Sequence, residues 1–292
     1  MRSVVFVLFA ASLVACEMIA PPSPRPEIDG PYVFADDGVP IAYDVAGSGA
    51  PTVVLLHGWS CDRTYWREQV DDLARAHRVI AVDLAGHGES GANRTDWTFE
   101  GLADDVIAVL EEEDVDDAVV VGHSMGGPIA LLVAQRAPER VDGIVAVEAL
   151  HDADAPRMTD EQARPFLGAY ETDFAGTCAR FARAMFPEGT DPALVDEVAA
   201  DMASAPPEVA VGLARRFPDF VLKDAMAGVT VPVRSINSAR SMPTNTEANR
   251  EYLPDYDSVL MANVGHFPML ERPVEFNALL RTVLEGIGRQ ES

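Results

Sequence analysis

Basic residues are scarce in this 292-residue sequence. It contains 22 Lys and Arg against 47 Asp and Glu, which gives a formal net charge of −25 at pH 7. A surface with this charge repels a polyphosphate backbone, so no nucleic acid partner is expected. The excess of acid also keeps a protein soluble, and it carries no information about a substrate.

Cysteine is equally rare, with only three residues in the sequence. Neither the cysteines nor the six histidines show the close spacing of a metal site, and the chemistry derived below requires no cofactor. We therefore expect neither a metal nor a cofactor. In an oxidising compartment Cys61 and Cys178 could form a disulfide, although two unpaired buried thiols are the outcome that we favour.

The apolar run at the N-terminus is too short to cross a bilayer, which takes about 20 apolar residues. It covers residues 4–14 and follows Arg2, as in the basic and apolar regions of a signal peptide. Residues 13–16 read LVAC and resemble the lipobox of bacterial lipoproteins, in which cleavage precedes an acylated cysteine. We predict a signal peptide over residues 1–15 and lipid attachment at Cys16; the alternative is an ordinary signal peptide cleaved nearby.

A proline-rich stretch follows the predicted anchor. Residues 21–26 read PPSPRP, and this composition favours an extended polyproline conformation over a helix or a central strand. We therefore assign residues 16–30 to a lipid-anchor segment and linker. Together these features predict an exported, membrane-anchored lipoprotein of the cell envelope that contacts the membrane through its N-terminal lipid.

Beyond the linker, short apolar runs alternate with longer amphipathic ones, which is typical of strands buried between helices. Residues 151–226 break this alternation, because they lack β-branched runs and offer several helical stretches. The predicted fold class is α/β: a doubly wound, mostly parallel, eight-stranded sheet formed by residues 31–150 and 227–288, with residues 151–226 inserted as a helical cap. The predicted strands cover residues 32–35, 41–46, 52–56, 78–82, 118–122, 143–147, 231–236 and 258–261.

The strongest chemical signal is a strand that runs directly into Gly-x-Ser-x-Gly. Residues 118–127 read AVVVGHSMGG, which places Ser124 between a predicted strand and a predicted helix. In such an elbow the nucleophilic serine occupies a strained turn, and Gly122 and Gly126 keep Cβ atoms out of the crowded corner. The string alone is common by chance, but its position between strand and helix makes Ser124 the predicted nucleophile.

A serine hydroxyl becomes an effective nucleophile when a base takes its proton, and that base is usually a histidine. Among the six histidines, His266 lies just beyond the last predicted strand, in the sequence NVGHFP. Sites in doubly wound sheets form at the carboxyl ends of the strands. We therefore predict that His266 is the general base.

The negatively charged oxygen of a tetrahedral intermediate is usually held by backbone N–H groups. Residues 55–59, LLHGW, follow a buried strand, so their turn can aim an N–H at the point reached by the residue after the nucleophile. Trp59 and Met125 are the predicted oxyanion-hole residues. The indole of Trp59 can line the pocket at the same time, because the donor is its backbone.

Together these motifs resemble the α/β-hydrolase family. Residues 57–58 (HG) follow the third predicted strand, residues 83–90 (DLAGHGES) the fourth, the elbow the fifth, and residues 265–266 (GH) the last. The resemblance extends over residues 32–286, the cap excepted. The family's serine members include esterases, lipases, cofactor-free haloperoxidases, carbon–carbon bond hydrolases and prolyl aminopeptidases, and the fold does not select among them.

The sequence departs from this family at the third member of the triad. Most members carry an acid after the strand that is predicted here at 231–236, but this chain has no carboxylate there and Ser241 stands in its place. We predict that Glu148 replaces the missing acid, because it ends the buried run before the cap and resembles the relocated acid of some family members. Asp152 and Asp154 are the competing candidates.

The serine nucleophile argues against epoxide hydrolase and haloalkane dehalogenase chemistry, for which the family uses a carboxylate. We expect a serine hydrolase that cleaves a small-molecule carboxylic ester through an acyl-enzyme. One alternative is a carbon–carbon bond hydrolase or an aminopeptidase-like member, since the cap decides which substrate fits. A second alternative is a non-catalytic surface binding protein that keeps the fold.

Overall fold

The computed structural model describes residues 30–288, so the predicted signal peptide, Cys16 and most of the predicted linker lie outside the described residues. Within this range the strands are β1 (Tyr32–Phe34), β2 (Pro40–Ala46), β3 (Thr52–Leu56), β4 (Val79–Val82), β5 (Ala118–His123), β6 (Val141–Val147), β7 (Val233–Ser238) and β8 (Tyr256–Met261).

The eight strands form one sheet in the order β1-β2-β4-β3-β5-β6-β7-β8. All pairings from β4 to β8 are parallel, whereas β2 pairs antiparallel with both β1 and β4. The predicted α/β class and the mostly parallel, eight-stranded sheet are therefore confirmed. The central strands are buried on both faces, which explains why their sequences are continuous apolar runs.

Helices cover both faces of this sheet. Those outside the region between β6 and β7 are α1 (Arg67–Leu73), α2 (Phe99–Glu112), α3 (Gly126–Arg136), α9 (Thr246–Tyr252), α10 (Pro268–Glu271) and α11 (Pro273–Gly288). A Cβ at Gly143 of β6 would meet Ile287 of α11, whereas Ala146 faces Gly127 of α3. Successive residues of a strand point to opposite faces, so Gly143 and Ala146, three positions apart, face opposite sides of the sheet. Helices α11 and α3 therefore lie on opposite sides of β6.

Five helices lie between β6 and β7, in the segment predicted as a cap. They are α4 (Asp160–Thr172), α5 (Phe174–Ala184), α6 (Pro192–Ser204), α7 (Pro207–Ala214) and α8 (Leu222–Met226). Three of them begin with clear sequence signals: Thr159 and Gln162 form a capping box on α4, and α6 and α7 each have proline in the first turn. The short helices α7 and α8 were not predicted. Helix α7 is apolar almost throughout, so its sequence shows no helical periodicity.

Among the predicted strands β3 has the predicted bounds, and the other seven begin or end one or two residues away from them. The sequence after β3 predicts a helix over residues 64–75, but this segment starts as a 3₁₀ turn (Arg63–Trp66), in which the Asp62 carboxylate accepts a hydrogen bond from the Thr64 N–H, and α1 follows it. Strand β7 lies two residues further along the chain than predicted, over Val233–Ser238. Its ladder with β8 begins at Val233, directly after a proline, which has no N–H to contribute.

Within residues 30–288 no helix has the length and the apolar character needed to cross a membrane. Cys61 and Cys178 are both buried free thiols, which is the outcome favoured from the sequence.

Candidate active site

Ser124 lies at the turn between β5 and α3, with a backbone φ of +51°. This left-handed conformation is uncommon for a residue with a side chain, and such strain concentrates at functional sites. The turn is possible because its neighbours are glycines. A Cβ at Gly122 would overlap the carbonyl oxygen of Gly126, and a Cβ at Gly126 would lie 2.7 Å from the carbonyl oxygen of Leu56.

The loop after β3 lies against this turn. A Cβ at Gly58 would lie 3.2 Å from the Cβ of Ser124, so only glycine lets the loop approach Ser124 this closely. The next residue, Trp59, donates a hydrogen bond from its indole Nε1 to the carbonyl oxygen of Ala210 in α7, at 2.8 Å. This bond ties the predicted oxyanion loop to the cap, while Met125 immediately precedes the first turn of α3.

His57 holds the same loop from within. Its Nε2 accepts a hydrogen bond from the Leu84 N–H at 3.0 Å, which leaves Nδ1 to donate to the carbonyl oxygen of Gly58 at 2.8 Å. Burial lowers the pKa of His57 to about 4, so the ring is neutral at pH 7.

Glu148 and His266 are brought together by the carboxyl ends of β6 and β8. His266 Nδ1 lies 3.2 Å from Oε2 of Glu148, and the Glu148 side chain is 1% exposed against 23% for His266. Glu148 has a φ of +50°, so the predicted acid shares the left-handed backbone conformation of the predicted nucleophile. This contact leaves Nε2 of His266 as the ring nitrogen available to accept a proton.

Three donors surround the Glu148 carboxylate. Its Oε1 accepts a hydrogen bond from the Ser238 N–H, and its Oε2 accepts one from the Ser241 hydroxyl at 2.6 Å, besides the contact with His266. Burial alone raises the pKa of Glu148, but these hydrogen bonds outweigh it and hold the pKa below its usual value. The group is therefore a carboxylate at pH 7.

The competing acids lie elsewhere. Asp152 accepts a hydrogen bond from the Asn245 side chain at 3.2 Å, and Asp154 accepts one from the Tyr252 hydroxyl at 3.1 Å. Among the described residues, Glu148 is the acid whose carboxylate contacts the His266 ring.

Hydrogen bonds from three elements hold the backbone around His266, where the His266 N–H donates to the carbonyl oxygen of Met185 at 3.1 Å. The Phe267 N–H donates to Glu271 at 3.0 Å, and the Gly265 N–H donates to the same carboxylate. His123, the residue before Ser124, donates from Nε2 to the carbonyl oxygen of His266 at 2.7 Å. Burial lowers the pKa of His123 far below its ordinary value, so this ring is neutral. Its hydrogen bond links the elbow to the His266 loop.

Ser124, His266 and Met125 line one cavity of about 760 Å³ between the sheet and the cap. Most of its wall is apolar, and the aromatic part is formed mainly by Trp59, Phe99, Phe166, Phe181, Phe217 and Phe220. The indole of Trp59 is surrounded by cap side chains, with ring centroids 5.2 Å from Tyr170 and 6.3 Å from Phe181. A cavity of this size and lining suits a small, largely apolar organic molecule.

Comparison with known proteins decides the family. A model of the alpha/beta hydrolase fold matches residues 51–189. The chain is 31% identical over 264 residues to the dihydrolipoyllysine-residue acetyltransferase component of the acetoin cleaving system from Cupriavidus necator, across 87% of this chain and 69% of that protein. The chain belongs to the α/β-hydrolase family.

Solved structures of α/β-hydrolases superpose over most of the chain. Est816, described as an N-acyl homoserine lactone degrading enzyme, has 30% sequence identity and a TM-score of 0.74, over 86% of this chain and 99% of that one. The esterase from Exiguobacterium antarcticum has a TM-score of 0.80 at 22% identity, over 88% of this chain and all of that one, and supports the fold alone.

Sequence reasoning missed the residues that support the site of this α/β-hydrolase. Ser238 binds Glu148 through its backbone, a role that its residue type does not signal. His123 and Glu271 act on the backbone of the His266 loop, and only the three-dimensional structure shows that the two loops meet. The sequence marks Ser241 solely because it stands where an acid is expected.

Proposed function

We propose that this α/β-hydrolase is a serine hydrolase that cleaves small-molecule carboxylic esters. The observation that carries the proposal is the contact between Nδ1 of His266 and the buried carboxylate of Glu148, in a cavity that Ser124 also lines. A buried carboxylate on one nitrogen of a histidine fixes the tautomer whose other nitrogen is basic, which is what a serine nucleophile requires.

In the proposed reaction the Ser124 oxygen attacks the ester carbonyl while Nε2 of His266 takes the hydroxyl proton. The resulting imidazolium is stabilised by the Glu148 carboxylate, and the N–H groups of Trp59 and Met125 bind the oxyanion. Collapse of the intermediate breaks the ester C–O bond, and His266 returns the proton to the leaving alcohol. Water, deprotonated by His266, then attacks the acyl-enzyme and releases the acid and free Ser124.

Two features favour an ester over other substrates of the family. Glu148 is the one acidic residue among the described residues that line the cavity. Its carboxylate already accepts hydrogen bonds from three donors, so it is not free to bind the amino group of a peptide. In addition, the apolar wall suits an uncharged acyl or alcohol part. A lactonase activity lies within this proposal, because a lactone is a cyclic ester, and Est816 is described as degrading lactones.

The test is a panel of p-nitrophenyl esters with increasing acyl length, with aminoacyl anilides and 1,5-diketones as competitors from the other classes. We expect ester turnover in the wild type and a loss on the order of 10⁴-fold or more in kcat for Ser124→Ala. Turnover of the anilides or diketones without the esters would move the protein to the peptidase or carbon–carbon hydrolase class. No Ser124-dependent turnover of any of them would favour a binding protein.

A further inference from the structure

The loop after β7 carries no acid, yet it binds the acid that replaces the missing one. Ser241 lies in this loop, and its hydroxyl donates to Oε2 of Glu148 at 2.6 Å. The same oxygen lies 3.2 Å from Nδ1 of His266, so two donors share one carboxylate oxygen. The Ser238 N–H occupies the other oxygen, which leaves the carboxylate little freedom to rotate.

The loop is also tied to the strand end that carries His266. The Ser238 hydroxyl donates to the carbonyl oxygen of Val264 at 2.6 Å, and its Oγ accepts a hydrogen bond from the Arg240 N–H at 3.0 Å. One short segment therefore holds both Glu148 and the backbone that leads to His266.

We propose that Ser241 is a positioning residue, which orients the Glu148 carboxylate toward His266 and withdraws charge from the oxygen that the two donors share. The proposal rests on the proposed function. It goes beyond that function because Ser241, which lines the cavity, donates its hydroxyl hydrogen bond to Glu148 and so acts through that residue. Two consequences follow, one geometric and one electrostatic.

The geometric consequence concerns turnover. Without the hydroxyl, Oε2 keeps only His266 as a donor, and the carboxylate gains freedom to rotate away from the imidazole. Less orientation of His266 lowers kcat, while KM, which depends on the cavity wall, changes little. A hydrogen bond to a charged group has a strength that corresponds to about a tenfold change in rate.

The electrostatic consequence concerns the pH profile. The Ser241 hydroxyl donates one of the hydrogen bonds that hold the pKa of Glu148 below its usual value, so removing it raises that pKa and lets the carboxylate take up a proton at higher pH. The acid limb of kcat/KM therefore moves to higher pH in a variant without the hydroxyl. A purely structural role of Ser241 would lower activity without moving this limb.

Other ionisable groups lie around His266, but none of them occupies the place of Ser241. The His123 ring, with its centroid 4.9 Å from that of His266, is kept neutral because burial lowers its pKa. Burial likewise lowers the pKa of His151. The Glu271 carboxylate is bound by two backbone N–H groups of the His266 loop. Besides Glu148, the charged groups near His266 are therefore Glu271, which is bound to the His266 loop, and Arg240, which lines the cavity.

The test compares Ser241→Ala with Ser241→Thr, which keeps a hydroxyl at the same carbon. In the alanine variant we expect kcat to fall about tenfold with KM within about twofold, and the acid limb to move up by about half a pH unit. The threonine variant restores both quantities. Val274→Ala, at a position that is 82% exposed and outside the cavity lining, is the control and behaves like the wild type.

A second experiment uses the position of the missing acid. Glu148→Gln removes the charge that faces His266, and the double variant Glu148→Gln/Ser241→Asp returns a carboxylate from the loop side. Because the Ser241 oxygen lies 2.6 Å from Oε2 of Glu148, we expect the double variant to be at least about tenfold more active than Glu148→Gln alone. Equal activity of the two would contradict the placement of Ser241 at the triad.

A substrate-free readout separates this inference from the proposed function. The Nδ1 proton of His266 can be followed by NMR in the folded protein, and we expect its resonance to shift in Ser241→Ala and to return in Ser241→Thr. An unchanged resonance and an unmoved acid limb in Ser241→Ala would overturn the inference even if Ser124-dependent hydrolysis is found. A shifted resonance in a protein that hydrolyses no ester would instead contradict the proposed function.

Discussion

The Glu148 carboxylate lies 3.2 Å from Nδ1 of His266, although 118 residues of sequence separate them. The parallel sheet accounts for this proximity, because the carboxyl ends of its strands meet at one edge. Glu148 follows β6 and His266 follows β8, and the two serines that bind the carboxylate come from the end of β7 and from the loop after it.

If this contact serves catalysis, Glu148→Gln lowers kcat by about 10²- to 10⁴-fold, because the amide can orient His266 but cannot stabilise the imidazolium. Steady-state kinetics on the best ester of the panel measure the change. Asp152→Asn is the matched control: Asp152 is the competing acid and its carboxylate contacts Asn245 instead, so activity stays within about twofold. A Glu148→Gln variant as active as the control would exclude Glu148 from the triad.

The glycines of the elbow give a structural prediction. Gly122→Ala forces a Cβ into the Gly126 carbonyl, so we expect a loss of about 3 kcal/mol or more in the free energy of unfolding, or a failure to fold. Gly168→Ala is the matched control, since Gly168 lies within α4 and no neighbouring side chain or element comes within 4 Å of the place that a Cβ would take. There alanine leaves the stability unchanged or raises it by up to about 1 kcal/mol.

Chemical denaturation at pH 7 measures both glycine variants. Equal stability of Gly122→Ala and Gly168→Ala would show that the turn at Ser124 is not packed as described.

His57 predicts a pH dependence of stability. Its pKa is about 4 in the folded protein, mainly because of burial, against 6.5 for a free histidine. As the pH falls below 6.5 the unfolded chain takes up a proton that the folded protein excludes, so stability is fully present above pH 6.5 and is lost progressively down to about pH 4. At about 1.4 kcal/mol for each pKa unit, the full loss is on the order of 3 kcal/mol.

His57→Gln tests this prediction, because glutamine cannot be protonated. Between about pH 7.5 and about pH 4.5 its denaturation midpoint falls less steeply than that of the wild type. Parallel slopes for the two proteins would contradict the assignment of the lowered pKa to the neutral, buried His57 ring.

We also propose that Cys16 carries a lipid anchor that holds the protein in the cell envelope. Cys16→Ala then moves the protein from the membrane fraction to a soluble or uncleaved form, as judged by fractionation and immunoblotting. Mass spectrometry of the mature N-terminus provides the control measurement. A mature chain that begins elsewhere than at Cys16 would contradict lipid attachment at this cysteine.

The sequence predicted the central part of the fold well, because buried parallel strands are encoded as continuous apolar runs. β3 was placed with its observed bounds, and the elbow at Ser124 followed from the glycines that its turn requires. The short cap helix α8 was missed, because five residues are too few to show a helical period.

The sequence could not specify the contacts between residues that are far apart along the chain and meet at the edge of the sheet. Residue type and strand order were enough to nominate Ser124, His266 and Glu148. The bonds from Ser241 and Ser238 to Glu148 depend on where β7 ends, and that strand was predicted two residues too early. Backbone donors such as the Ser238 N–H carry no residue signature, so they appear only when the chain is folded.

The most direct test of the central claim is labelling with a fluorophosphonate, which reacts with serines activated by a neighbouring base. We expect intact-mass spectrometry to show one adduct on the wild type and peptide mapping to place it on Ser124. The adduct is absent from Ser124→Ala and forms more slowly in His266→Gln, while thermal unfolding verifies that both variants are folded. An unlabelled wild type, or a Ser124→Ala variant labelled to the same extent, would contradict a serine hydrolase mechanism at this site.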